Sequence, residues 1–144
     1  MTPRRIVDTI LRVVWPDRER AYRGLRGVGQ RWERVAEKRL KAEGYVIRER
    51  NFRARAGEID FIADEKGVLC FIEVKARGSL RFGTPAEAVT AEKQRRIVRA
   101  AEEYLQKQRL GRVPCRFDVV SILDSADGAA VTILRDAFAS TPRG

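Results

Sequence analysis

The chain has 144 residues, 44% of them hydrophobic, which suits one domain with a real core. It carries 30 Lys/Arg against 20 Asp/Glu, a formal net charge of +10, and no histidine. The missing histidine excludes Ser-His-Asp and Cys-His catalysis, histidine-bound zinc and imidazole acid–base work, so any catalysis falls to carboxylates, lysine, tyrosine or a metal held by oxygen.

The charge is uneven. Residues 1–56 hold 16 Lys/Arg against 7 Asp/Glu, while residues 57–144 hold 14 against 13. A concentrated basic region favours polyanions, nucleic acid or acidic lipid, although a solvated arginine-rich surface has the same composition. Two cysteines, Cys70 and Cys115, form neither a disulfide framework nor a zinc pattern, so a cytoplasmic setting is expected. Cys70 lies in an apolar run and reads as a buried thiol. No apolar run approaches the length of a membrane span, so no stable membrane insertion is expected.

"RRIVDTILRVVW" (4–15) has the apolar spacing of an amphipathic helix, ended by Pro16. Residues 17–29, arginine-rich with Gly24, Gly27 and Gly29, read as a loosely ordered lead-in. Residues 1–28 therefore form a basic extension, residues 29–138 the main domain and residues 139–144 a tail. "RWERVAEKRLKAEG" (31–44) predicts a helix burying Trp32, Val35, Ala36 and Leu40, with Gly44 as its stop. "YVIRERNFR" (45–53) is a strand candidate. A hairpin follows, with strands over 57–63 and 68–76 and a turn at "DEKG" (64–67). "GSLRFGTPAEA" (78–88) reads as a long loop. Thr90 caps a helix to about Gln108 that buries Ile97, Ala101, Tyr104 and Leu105. "CRFDVVSIL" (115–123) and "AVTILRDAF" (130–138) are closing strands. A three-strand meander, a crossover helix and one or two further strands predict a mixed α/β sheet covered by helices, with the strand after the crossover parallel to an earlier one.

The hairpin places charge where apolar residues are expected. Residues i and i+2 of a strand share a face, so Glu73 and Lys75 point one way, and Glu58 and Asp60 do likewise. With the turn centred on Glu65 and Lys66, Asp60 falls diagonal to Glu73. Two carboxylates converging there repel and lose solvation, and a divalent cation relieves both costs. Mg²⁺ is the natural choice, since it takes oxygen ligands, water and substrate phosphate. Lys75 would then stand beside the attacking water or the phosphate. The alternative is a solvated strand end carrying a weak Glu73–Lys75 ion pair. Glu58 is open between an outer ligand and a turn-end carboxylate. Asp118, on a strand expected to be central, calls for a structural partner such as an arginine.

The D-x(12)-E-x-K pattern behind a helix bearing a glutamate resembles the PD-(D/E)xK nuclease superfamily. More closely, "GEIDFIA" (57–63), "FIEVKAR" (71–77), "RFGTPAEAV" (81–89), "KQRR" (93–96), "RFDVV" (116–120) and "DAF" (136–138) resemble the bacterial YraN-like family, related to archaeal Holliday-junction resolvases. The resemblance covers residues 29–138 and implies a restriction-endonuclease-like fold. It also implies a Mg²⁺- or Mn²⁺-dependent phosphodiesterase acting on DNA, with branched or repair intermediates among its substrates. Its catalytic set maps onto Glu33, Asp60, Glu73 and Lys75, with Asp60 and Glu73 holding the metal. The family usually has glycine before the helix glutamate, and this chain has Trp32, whose bulk bears on the role of Glu33. Arg53, Arg55, Arg77, Arg81, Phe82, Lys93 and Gln94 are candidate nucleic-acid contacts. Lys93 and Gln94 sit at a helix N-terminus suited to phosphate, and Phe82 could stack on a base. Relatives that resolve junctions act as dimers, so a homodimer is compatible. An inactive nucleic-acid-binding module with the same fold is the alternative function, and an interaction protein at a membrane surface, through residues 4–15, is a third reading.

Overall fold

The computed structural model describes residues 26–77, 89–125 and 128–140. The element order is α1 (Arg26–Ala42), β1 (Val46–Arg53), β2 (Glu58–Glu65), β3 (Val68–Arg77), α2 (Ala91–Lys107), β4 (Cys115–Ser125) and β5 (Gly128–Phe138). The amphipathic segment 4–15 and the loop 78–88 lie outside the described residues.

One five-stranded sheet runs in the order β1-β2-β3-β4-β5. Its β3–β4 pair is parallel and the other three pairs are antiparallel. The parallel pair requires a crossover, and α2 supplies it. β3 alternates between two cores. Leu69 and Phe71 pack with Ile97, Ala101 and Tyr104 of α2. Cys70 and Ile72 pack with Trp32, Ala36 and Leu40 of α1. A strand buried on both faces reads as a continuous apolar run, as this one does. The result is a mixed sheet between two helices, consistent with the expected restriction-endonuclease-like fold.

Local chemistry sets the element ends. Gly44 has φ +99°, a conformation that suits glycine, and stops α1. Its N–H donates to the Lys41 carbonyl, and the Tyr45 N–H donates to the Leu40 carbonyl, which together make a Schellman closure. Thr90 caps α2 by accepting from the Lys93 N–H at 3.2 Å. The buried face of α2 is Ile97, Ala100, Ala101 and Tyr104, with Leu105 half-buried. Two expectations need correction. α1 begins at Arg26, so residues 26–29 are helical and Gly27 and Gly29 lie inside the helix rather than in a loose lead-in. The hairpin turn is Lys66–Gly67, with Glu65 paired to Val68, one residue later than the expected centre. Both turn residues have positive φ, +49° and +80°, the pattern of a type I′ hairpin.

Reaching in from the turn end of the hairpin, a buried polar network ties β2, β4 and β5 to Tyr45, which lies between α1 and β1. Asp118 is fully buried and accepts from the Tyr45 hydroxyl at 2.8 Å, from Arg116 Nε at 3.0 Å and from the Asp136 N–H at 2.9 Å. The arginine partner expected for Asp118 is thus Arg116. The Asp136 bond fills the register shift between Phe117 and Val119, where Asp136 takes φ +55°. Glu65 accepts from Arg135 at 2.8 and 2.7 Å and from Arg116. The Arg135 and Arg116 hydrogen bonds hold its carboxyl down at about 2. A carboxyl depressed from its ordinary value near 4.5 contributes stability that is complete above about pH 4.5 and is lost as the pH falls toward 2. Thermal melts of wild type are therefore expected to fall steeply across that window, by a contribution on the order of 3 kcal/mol. Glu65→Gln should melt lower at neutral pH and show a flatter acid limb. An acid limb unchanged in Glu65→Gln would assign the loss to other carboxylates.

Candidate active site

The hairpin opens at the end away from its turn. The β2–β3 ladder runs from Glu65↔Val68 to Phe61↔Ile72 and stops. One position further, Asp60 stands level with Glu73, directly across rather than diagonal as the earlier turn centre implied. Here the Val74 N–H donates to Asp60 Oδ2 at 2.8 Å, so a carboxylate takes the place of a strand carbonyl. Simple alternation also fails at this point. Phe61 packs in the α1 core and Ile59 in the α2 core, although strict alternation gives them one face. Their partners on β1 follow them. Arg50 pairs with Phe61 and bonds Glu37 of α1, while Phe52 pairs with Ile59 and meets Tyr104 of α2 edge-on. Both strands therefore turn over between these pairs, at Asp60 and at Asn51, whose φ is +51°. That local twist directs Asp60 toward β3.

Glu73 and Lys75 follow Phe71 on the α2 face of β3 by ordinary alternation. Glu73 is only 2% exposed and Lys75 is buried. This removes the solvated-strand-end alternative. The first turn of α2 closes on them. Lys93 Nζ lies 2.9 Å from Glu73 Oε1, and Lys75 Nζ lies 3.9 Å from the same oxygen. Two ammonium groups thus offset one buried carboxylate, whose unpaired burial would be costly. The closer of the two, Lys93, is the helix residue expected near phosphate.

Glu33 is half-buried on α1 and accepts from Asn51 Nδ2 at 3.3 Å. Asn51 falls between the Arg50↔Phe61 and Phe52↔Ile59 pairs, level with Asp60. Glu33, Asn51, Asp60 and Glu73 therefore form a row from α1 across three strands. Trp32 is buried in the α1 core, so its bulk is absorbed there. Asn51 was not singled out by sequence reasoning. Its signal was an asparagine, a residue tolerant of positive φ, inside an otherwise charged and apolar strand.

The remaining candidates scatter. Arg53 pairs with Glu58 at 3.0 Å, which gives Glu58 a surface partner. Arg55 is exposed, and its N–H donates to Glu103 of α2. The Gln94 side chain donates to the Val89 carbonyl at 2.9 Å, bracing the start of α2. Arg77 ends β3 on the face of Glu73 and Lys75, buried at 2% exposure. Arg81 and Phe82 lie outside the described residues.

The donor set fits a hard divalent cation, since Asp60 and Glu73 offer oxygen only. Among the described residues no three or more His, Cys, Asp or Glu side chains converge as a metal cluster. A cation here would take two carboxylates and complete its shell with water or phosphate, as Mg²⁺ commonly does. Among the described residues, no helix is long and apolar enough to cross a membrane.

The chain is 52% identical over 103 residues to a UPF0102 protein of Symbiobacterium thermophilum, covering 72% of this chain and 87% of that protein. It is 52% identical over 93 residues to one of Hahella chejuensis, covering 65% and 75%. A third, from Caldicellulosiruptor saccharolyticus, is 41% identical over 115 residues, covering 78% and 98%. The model of the uncharacterised protein family UPF0102 matches residues 32–122, a span that holds Glu33, Asp60, Glu73, Lys75 and Lys93. With that span matched and these relatives aligned across most of their own length, the chain belongs to UPF0102, the YraN-like family.

Proposed function

We propose that the chain is a metal-dependent nuclease of the PD-(D/E)xK type that hydrolyses phosphodiester bonds in DNA. One observation carries the reading. Glu73 is buried beside Lys75, level with Asp60, at the point where two paired strands part. A carboxylate and a lysine are costly there, and a packed apolar pair would serve a sheet better.

When bound, Mg²⁺ or Mn²⁺ would supply Lewis acidity for the attacking water and charge compensation for the phosphate. Asp60 and Glu73 would hold it. The Val74 amide fixes the Asp60 carboxylate, so that ligand is oriented before any cation arrives. Lys75 would meet the charge growing on a phosphate oxygen, or orient the water that attacks phosphorus. Hydrolysis adds the water's hydroxyl to phosphorus and its proton to the leaving sugar oxygen. Glu33, held by Asn51, lies at the α1 end of the row, suited to bind a water at the rim.

Lys93 sits closest to Glu73 and must yield if a cation takes the same oxygen. Lys93→Ala is therefore expected to bind Mn²⁺ severalfold more tightly than wild type in a calorimetric titration, while binding DNA more weakly. Weaker Mn²⁺ binding would make Lys93 a support of the site.

A second reading has its own support. Because two lysines already neutralise Glu73, the site can be held without a cation, as in an inactive nucleic-acid-binding module of the same fold. Incubation with linear duplex, single-stranded and four-way-junction DNA, with Mg²⁺ or Mn²⁺ and an EDTA control, separates the two. Cleavage dependent on the metal is expected. Binding without cleavage under all conditions selects the module.

A further inference from the structure

We propose that Arg77 is a buried receptor for a non-bridging phosphate oxygen, the inner anion site of the substrate groove. The inference rests on the nucleic-acid reading above for the source of that phosphate.

Arg77 is 2% exposed, and Nε, Nη1 and Nη2 all lack a hydrogen-bond partner among the described residues. A guanidinium has five N–H donors in a planar fork, and burying it unbonded is among the costlier things a fold can do. Buried polar groups are nearly always satisfied, so an exception calls for an explanation. Structural pairing does not provide one. Its neighbour on β4 is Leu123, an apolar residue. By contrast, the half-buried Arg116 is well bonded, by Asp118 and Glu65. Burial also depresses the Arg77 pKa, the direction expected of a cation that has lost water without gaining an anion.

Position indicates which anion. Glu73, Lys75 and Arg77 alternate along one strand, so they share a face at intervals of roughly 6.5 Å. Arg77 therefore continues the row away from Glu73, with Lys75 between. An anion at Arg77 lies next to the reacting phosphate rather than on the carboxylates. The fork matches two phosphate oxygens, which a lysine cannot do. At 2% exposure the guanidinium is reached only when its surroundings yield, so the site is selective for an anion that brings compensating contacts.

The test uses the full chain, without divalent metal, and inorganic phosphate and a short DNA duplex as probes. Phosphate is expected to raise the melting temperature of wild type and to leave Arg77→Met unshifted. Arg77→Met should melt above wild type in phosphate-free buffer, because methionine keeps much of the apolar stem and removes an unbonded charge. Arg77→Lys keeps a charge and should fold, yet bind the duplex roughly tenfold more weakly, the loss of one charge-assisted bond. A phosphate shift retained in Arg77→Met, or unchanged duplex affinity in Arg77→Lys, overturns the proposal. Its failure is distinct from failure of the nuclease reading. A protein that binds phosphate through Arg77 but never cleaves keeps this site and loses the enzyme. One whose Arg77→Met variant cleaves with unaltered kcat/KM keeps the enzyme and loses this site.

Discussion

Lys75→Ala is expected to reduce metal-dependent DNA cleavage by roughly a hundredfold to ten-thousandfold while changing DNA affinity little. Losses of that size are typical when one positioned group that acts at the transition state is removed. The geometry supports the split. Lys75 is buried and 3.9 Å from Glu73, so it lies inside the site and offers little surface to a ligand's outer contacts. Single-turnover cleavage measured beside an equilibrium binding assay reads both quantities. Affinity that falls in parallel with rate would make Lys75 a ground-state contact. The matching variant at the proposed metal ligand is Asp60→Asn rather than Asp60→Ala. Asparagine still has a carbonyl oxygen to accept the Val74 N–H, whereas alanine leaves a backbone donor without its partner, at a cost of about 1–3 kcal/mol.

Asp118→Ala is expected to destabilise the fold by about 3–5 kcal/mol, the range for breaking a buried charge pair by removing one partner. Asp118 is fully buried and joins Tyr45, Arg116 and the Asp136 amide. Its removal leaves all three groups short of a bond and Arg116 short of a charge. At roughly 3 °C per kcal/mol for a chain of this size, the melting temperature should drop by about 10 °C or more. Asp118→Asn keeps the acceptor and should cost less. Cleavage at a temperature where Asp118→Ala remains folded should be near wild type, since Asp118, paired with Ile72, turns with Tyr45 to the α1 face of the sheet, whereas Glu73 and Lys75 turn to the α2 face. A drop under about 1 kcal/mol would mean that water replaces the lost bonds.

Legibility in the sequence followed physical locality. Thr90 as a cap, Gly44 as a stop and the doubly buried β3 run each depend on a few adjacent residues, and each was readable. The pairing register depended on where two residues turn, and Lys66 gave little warning that it would take positive φ. A turn centre misplaced by one residue moved Asp60 from level with Glu73 to diagonal. The turnover of β1 and β2 at Asn51 and Asp60 was less legible still, because alternation is the rule from which it departs. Gly27 and Gly29 read as helix breakers, yet α1 runs through them, which shows the weakness of propensity as a prior. The partnership of Lys93 with Glu73 joins residues 20 apart in sequence through a crossover. The sequence named both residues but not the contact. Much of the basic character is also locally balanced. Arg50 and Lys41 meet Glu37, Arg48 meets Asp64 and Arg53 meets Glu58, so fewer cations are available to a polyanion than the composition suggests.

The central claim is that Asp60 and Glu73 together hold a divalent cation. Mn²⁺ binding, followed by electron paramagnetic resonance on wild type, Asp60→Asn, Glu73→Gln and the double variant, tests it without requiring a substrate. One Mn²⁺ per chain is expected in wild type, with affinity weakened at least about tenfold in each single variant and binding abolished in the double variant. Mn²⁺ bound equally by wild type and the double variant, or by none of the four, would contradict it.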